Sequence, residues 1–266
     1  LLVIFIAIGI YAFFFEPYNP EITHVVIKNP ELKRILADKV VVQLSDLHIK
    51  KLGKYEKKVL DIVNSLEPDL IFLTGDYISW KGKCEGAFEF FSQLKAGSGI
   101  WAVMGDYDYS NSRNSCLFCH KPGSIEYSPR NKIRFLKNTC EMITLPDGLL
   151  TVGGIDRVGE PYIKIDNLDF FEREDIPVVV LSHDPLNFEE LSKDKKFLML
   201  SGDTHGGQLA IPSWFWSFIG YKKTAKYEKG LYENKNGRMY VNKGIGTSHI
   251  PIRLFRPPEI TVLHFQ

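Results

Sequence analysis

The chain reads as an α/β protein built on a parallel sheet, for two reasons. The first is alternation. A β-branched apolar run, an amphipathic helical stretch and a second apolar run follow one another from Val40 to Leu73, the strand–helix–strand unit of a parallel sheet. The second is that these runs stop at residues able to hold a cation, at the C-terminal strand ends where open α/β sheets place their ligands. With 266 residues, 44% hydrophobic and 24% charged, the chain has enough apolar material for one large domain or two small ones. The formal net charge of +1 gives no basic footprint for a phosphate backbone, so no nucleic-acid partner is expected.

Leu1 to Phe15 (LLVIFIAIGIYAFFF) carries no charge and no polar face. It is shorter than the ~20 apolar residues of a spanning helix, but the chain does not begin with Met, so a longer natural run is expected. Residues 1–18 are read as a transmembrane anchor, and a buried core helix is the plainer alternative. A secretory leader is disfavoured, because bulky Phe13, Phe14 and Phe15 stand where a small-x-small cleavage site would be. The membrane side cannot be read without the preceding flank. Residues 19–37 read as a Pro-containing connector to a domain spanning 38–266.

Val40 to Leu44 is the first strand, and Asp46 and His48 lie just past it. Two residues apart in extended chain, they face the same side and can converge on one ion. Alone, such a pair is usually an ordinary polar surface. Lys54 to Leu66 places Tyr55, Val59, Ile62, Val63 and Leu66 at helical spacing. Leu70 to Leu73 is the next strand, ending in Thr74-Gly75-Asp76. Glu85 to Leu94 reads as a second helix. Ile100 to Met104 is a strand ending in Gly105-Asp106-Tyr107-Asp108. Ser110 to Arg130 is polar and reads as an inserted loop. Strand character returns at Leu149 to Ile155. It returns again at Val178 to Leu181, before Ser182-His183-Asp184-Pro185, and at Phe197 to Leu200, before Ser201-Gly202-Asp203-Thr204-His205-Gly206-Gly207-Gln208. Arg238 to Val241 and Ile260 to His264 complete the strands.

Five strands therefore end in metal-capable residues: Asp46 with His48, Asp76, Asp106, His183, and Asp203 with His205. Any one of these can be an ordinary structural residue, but five together point to a metal centre. Seven acid and imidazole ligands exceed the needs of one ion and suit two ions bridged by a carboxylate.

In this order the motifs resemble those of the calcineurin-like metallophosphoesterases: Asp-x-His, Gly-Asp, Gly-Asn-His-Asp, Ser-His-Asp-Pro and Gly-His-x-His-Gly-Gly-Gln. Within the family, the chain looks like the small membrane-anchored bacterial branch, which includes hydrolases of UDP-diacylglucosamine. The resemblance runs from about Asp38 to the C-terminus and takes in Gly244 to Ser248, Pro251, Arg253 and Pro257-Pro258-Glu259. It implies a four-layer sandwich of two mixed β-sheets flanked by helices. It also implies hydrolysis of a phosphodiester or pyrophosphate by metal-activated hydroxide. Asp46, His48 and His205 would hold one ion, Asp76 would bridge, and His183, Asp106 and Asp203 would hold the other.

The chain departs from the family motifs at two of these ligand positions and at Tyr107 beside them. Asp106 replaces Asn, and Asp203 replaces the first His of Gly-His-x-His. Both can still ligate, and the added anionic charge favours Mn²⁺, or Mg²⁺, over Zn²⁺ or Fe. Tyr107 stands where the family has a His that assists the leaving group. A phenol with pKa near ~10 is a poor acid at neutral pH. Two readings stay open for it: an altered catalytic role with Asp76 and Asp106, or packing over the site. The substrate class implied is a phosphorylated small molecule or lipid, with a lipid-linked nucleotide foremost, at a bacterial inner membrane.

Cys116-Leu117-Phe118-Cys119-His120 matches the c-type haem attachment sequence. Covalent haem, a disulfide or small metal clip, and free thiols remain alternatives. A redox module carried on this loop, and a non-catalytic metal- or phosphate-binding protein, are therefore the competing functions. Pro212 to Ile219 (PSWFWSFI) is strongly aromatic. It reads either as a core-packing loop or as a surface that dips into lipid. Gly206 and Gly207 are expected to let the backbone approach the site. His24, His249 and His264 receive no metal role, and Arg253 reads as structural before phosphate-binding.

Overall fold

Thirteen strands form two mixed sheets in a computed structural model that describes residues 1–79, 82–109, 125–127 (backbone), 133–156, 175–191, 197–235 and 237–266. In chain order the elements are α1 Leu2–Phe14, β1 Glu21–Ile27, α2 Pro30–Leu36, β2 Val41–Leu44, α3 Lys54–Ser65, β3 Leu70–Thr74, α4 Glu85–Gln93 and β4 Gly99–Val103. Then come β5 Ile125–Tyr127, β6 Arg134–Leu136, β7 Thr139–Leu145, β8 Gly148–Ile155, β9 Val178–Ser182 and β10 Phe197–Ser201. The chain ends with α5 Ser213–Phe218, α6 Lys222–Lys226, β11 Gly230–Glu233, β12 Gly237–Val241 and β13 Glu259–Phe265. The first sheet has the order β1-β13-β2-β3-β4-β6-β5, and the second β11-β12-β10-β9-β8-β7.

The strand ends are level because the central pairs are parallel and in matched register. Leu44 faces Leu73 and Thr74 faces Val103 in one sheet, and Leu200 faces Leu181 in the other. Every residue of β2, β3, β9 and β10 is buried, which suits the continuous apolar runs of strands covered on both faces. Between the sheets lie Val41, Leu70, Phe72, Trp101, Val152, Val179, Leu198 and Leu263. The outer face of the first sheet is covered by Val59, Leu60 and Val63 of α3 and by Ala87, Phe90 and Phe91 of α4. Each fully buried large side chain among them stabilises the fold by about 1.5–3 kcal/mol. The outer face of the second sheet packs on Phe188, within the 3-10 turn Pro185–Glu189, and on Leu191 just past it.

Residues 19–37, expected as a connector, instead carry β1 and α2. β1 joins the sheet edge in parallel with β13, pairing Glu21 with Glu259 through to Ile27 with Phe265. α2 begins at a legible signal: the Asn29 side chain accepts hydrogen bonds from the backbone N–H of Glu31 and Leu32, both at 3.0 Å, with Pro30 as the first helical residue.

The apolar N-terminal run forms α1, of 13 residues. At 1.5 Å per residue it is about 20 Å long, against a hydrocarbon core of ~30 Å. Among the described residues no helix is long and apolar enough to cross a membrane. Most of α1 is exposed and only Ala12 is buried; its carbonyl accepts the Arg253 N–H at 3.0 Å.

Candidate metal centre

The two sheets meet at their C-terminal strand ends, where backbone contacts bind the loops to one another. Past β2 and β3, Asp46 N–H donates to the Gly75 carbonyl at 2.9 Å and His48 N–H to that of Asp76 at 3.0 Å. Across the sheets, the Gln43 side-chain amide donates to the Ser201 carbonyl at 3.0 Å, and Asp203 N–H lies 3.1 Å from both Asp46 carboxylate oxygens. Five of the seven expected ligands have positive φ: Asp46 50°, His48 46°, Asp76 55°, Asp203 72° and His205 53°. Non-glycine residues rarely adopt this region, and such strain clusters at functional sites.

Two buried groups result, each with its candidate ligand atoms within 4.8 Å of one another: Asp46, His48 and His205, and Asp46, Asp76 and His183. His48 Nε2 and His205 Nε2 are 3.0 Å apart with their rings stacked at 5.0 Å. Asp76 Oδ2 lies 3.7 Å from His48 Nε2 and 3.5 Å from His183 Nε2, so one oxygen reaches both groups. The His183 Nδ1 position pairs with the Thr74 carbonyl at 2.8 Å, which directs Nε2 into the site. Buried His183 Nε2 makes no hydrogen bond among the described residues. Asp203 stands at the edge, with Oδ1 3.8 Å from His183 Nε2. Asp106, half-buried on the 3-10 turn Asp106–Asp108, falls outside both groups. These carboxylates, imidazoles and the orphaned nitrogen fit a pair of divalent ions.

Protonation follows the same division. Burial lowers the pKa of His48, and lowers that of His205 well below its usual value, leaving both rings neutral as ligands must be. Burial raises Asp46 to about 7. Burial opposes charge on His183 and Asp76 as well, but each holds the other's charge, so the imidazole is raised and the carboxyl lowered.

Several residues that the motifs leave without a definite role support this geometry. Buried Asp108 accepts the backbone N–H of Asp76, Tyr77 and Gly105, each at 2.8 Å, and so pins the Asp76 loop. Arg253, fully buried, donates to the carbonyls of Lys243 (2.8 Å), Gly244 (3.1 Å), Gly246 (2.6 Å) and Arg256 (2.9 Å), so it knots the C-terminal loops under the site. Tyr107 packs edge-on against the His48 ring, at 4.8 Å, and its hydroxyl lies 3.4 Å from His249 Nε2. Its backbone N–H donates to Asp76 Oδ1 at 2.8 Å. A cleft of about 490 Å³ is lined by His48, Tyr107, His249, Lys50, Lys51 and, at the foot of α1, Tyr18.

Two expectations change. Gly207 does not serve an approach to the centre; a Cβ there would stand 2.7 Å from the Trp216 ring, so its smallness makes room for that indole. The aromatic stretch is a helix rather than a loop, and only Trp216 of α5 is buried. Trp214 is 68% and Phe218 81% exposed, so packing accounts for one ring and leaves a face uncovered. Cys116, Cys119 and His120 lie outside the described residues.

Residues 39–211 match the calcineurin-like phosphoesterase family, and the chain belongs to that family. It is 26% identical over 263 residues to the uncharacterized metallophosphoesterase YkuE of Bacillus subtilis, across 95% of this chain and 87% of that one. It is 27% identical over 308 residues to the UDP-2,3-diacylglucosamine pyrophosphatase LpxG of Chlamydia muridarum, across 96% and 92% of the two chains. An uncharacterized metallophosphoesterase of Aquifex aeolicus is 27% identical over 263 residues, at 93% and 90% coverage. The chain is a hydrolase of phosphoester bonds, from a family that uses two divalent metal ions.

Proposed function

We propose that this protein hydrolyses a phosphodiester or pyrophosphate bond in a lipid-linked phosphorylated substrate at a bacterial inner membrane. The observation that carries the chemistry is Asp76 Oδ2, which reaches both His48 and His183 and so joins two buried ligand groups. Asp46, His48 and His205 would hold one ion and His183 with Asp203 the other, with Asp76 within reach of both groups. The acidic second group favours Mn²⁺. When bound, the ions supply Lewis-acid charge for the phosphoryl oxygens and an activated water.

The protein's own groups do the rest. Lys50 and Lys51 give the cleft wall positive charge for a phosphate. The Tyr107 hydroxyl and His249 lie side by side in the cleft wall and would together serve a leaving group bound there, which offsets the weak acidity of a lone phenol. The lipid reading rests on Pro17 and Tyr18, which follow α1 and line the cleft, and on the LpxG relative, named for a diacylated sugar nucleotide. α1 exposes apolar residues on nearly every side, as do Trp214 and Phe218 of α5 and Phe255. A helix apolar all round is covered by protein or lipid.

The test is hydrolysis of bis(p-nitrophenyl) phosphate by metal-stripped protein with Mn²⁺ added back. Turnover lost in Asp76→Ala is expected. Tight Mn²⁺ binding without turnover would instead identify a non-catalytic binding protein.

A further inference from the structure

Lys223 is unusual in this centre. It sits on α6, immediately after the aromatic helix, and its ammonium is bonded to Asp203 Oδ2 and lies 3.1 Å from Asp184 Oδ2. The side chain is one-third exposed, and the Asp203 side chain is 19% exposed. The other oxygen of Asp203 faces His183 Nε2 at 3.8 Å, so one carboxylate lies between an ammonium and a metal-ligand group. Asp106 also adds to the negative field at Lys223. The first group, Asp46, His48 and His205, has no contact with Lys223 among the described residues.

A cation fixed on one oxygen of a carboxylate weakens the other oxygen as a ligand and repels a second cation placed there. In a partly buried site, where water screens poorly, a single charge a few ångströms away changes ion affinity by at least about tenfold. The effect falls on the subsite containing Asp203 and spares the one that does not.

We propose that Lys223 is a built-in cation of the centre, which neutralises Asp203 and keeps the second divalent ion weakly held, so that the two ions load unequally. This rests on the two-ion reading above. The Asp46–His48–His205 ion is the tight, resident one. The ion at Asp76, His183 and Asp203 exchanges with free metal. Activity then follows free metal concentration over the range set by the second ion.

Metal-stripped protein is titrated with Mn²⁺, and free Mn²⁺ is read from its electron paramagnetic resonance signal, which needs no turnover. Wild type shows one tight and one weak ion. Lys223→Met tightens the weak class by at least about tenfold and leaves the tight class within about threefold. Lys223→Arg, which keeps the charge, behaves as wild type. Lys223→Gln, which removes the charge and keeps a polar side chain, tightens the weak class as Lys223→Met does.

A weak class unchanged or weakened in Lys223→Met overturns the proposal, as do two equal classes in wild type. If Lys223→Met loses its circular dichroism, Lys223→Gln decides by the same criterion: a weak class that is not tightened overturns the proposal. Wild type that binds no Mn²⁺ sinks the two-ion reading itself, whereas normal binding and turnover with an indifferent Lys223→Met sinks only this inference.

Discussion

Gly105→Ala tests whether the position of one carboxylate governs the centre. Gly105 has φ −103°, which alanine adopts freely, so backbone strain does not enter. The obstacle is space: a Cβ would stand 2.2 Å from Asp76 Oδ1 and 2.4 Å from the Asp76 backbone nitrogen. Ordinary contact begins near 3.4 Å, so the Asp76 carboxylate must retreat by about 1 Å. That movement breaks the hydrogen bond from Tyr107 N–H to Oδ1 and shifts Oδ2 away from His48 and His183. Overpacking costs about 1–3 kcal/mol of stability. A ligand displaced by this much costs about 10–100-fold in metal affinity or turnover. Thermal melting with and without Mn²⁺ reads the first effect, and loss of the Mn²⁺-dependent rise in Tm reads the second. Gly97→Ala, whose nearest neighbour would be 3.8 Å away, is the control. If Gly105→Ala protein keeps Mn²⁺ affinity and turnover within about twofold of wild type, the Asp76 position does not govern the centre.

Three further outcomes are expected. Asp46, raised by burial to about 7, must lose its proton to bind metal, so Mn²⁺ affinity falls as pH drops below about 7 and binding above it releases no proton from this group. In the metal-free protein the sign is that of a raised carboxyl: the folded state holds the proton more tightly than the unfolded chain. The Asp46 contribution to stability is therefore full below the usual 3.8 and is lost as pH rises towards 7, a component that the difference between denaturant melts of wild type and Asp46→Asn across that window would show. Tyr107→His raises turnover most for substrates with poor leaving groups and least for p-nitrophenyl esters; an equal change for both would remove position 107 from the acid role. Trp214→Ser with Phe218→Ser reduces co-sedimentation with anionic lipid vesicles by several-fold, and unchanged sedimentation would mean that α5 does not touch lipid.

Where the strands run, and where each one stops, is written in the order of the residues. Buried parallel strands are mostly apolar and the loops at their ends polar; Leu70–Leu73, Val178–Leu181 and Phe197–Leu200 carry that signature, as does Val40–Leu44 apart from Gln43, whose side-chain amide N–H donates to the Ser201 carbonyl. The candidate ligands are legible for the same reason, because Asp and His recur at successive strand tips, the places where a sheet can bring cation ligands together. Where local chemistry is weaker the sequence says less. β1 reads as a connector because it is an edge strand, mostly exposed, and its pairing with β13 lies more than two hundred residues away in the chain. The cap at Asn29-Pro30, by contrast, is a local signal that marks α2. Only folding settles that Asp76 reaches both groups, that Asp106 stands apart and that Lys223 lies on Asp203. It also brings His249 against Tyr107. Each of these depends on the distance between segments far apart in sequence and on the left-handed turns that aim the ligands. Neither periodicity nor spacing encodes such distances, because they are set only when the two sheets pack face to face and bring their strand ends level.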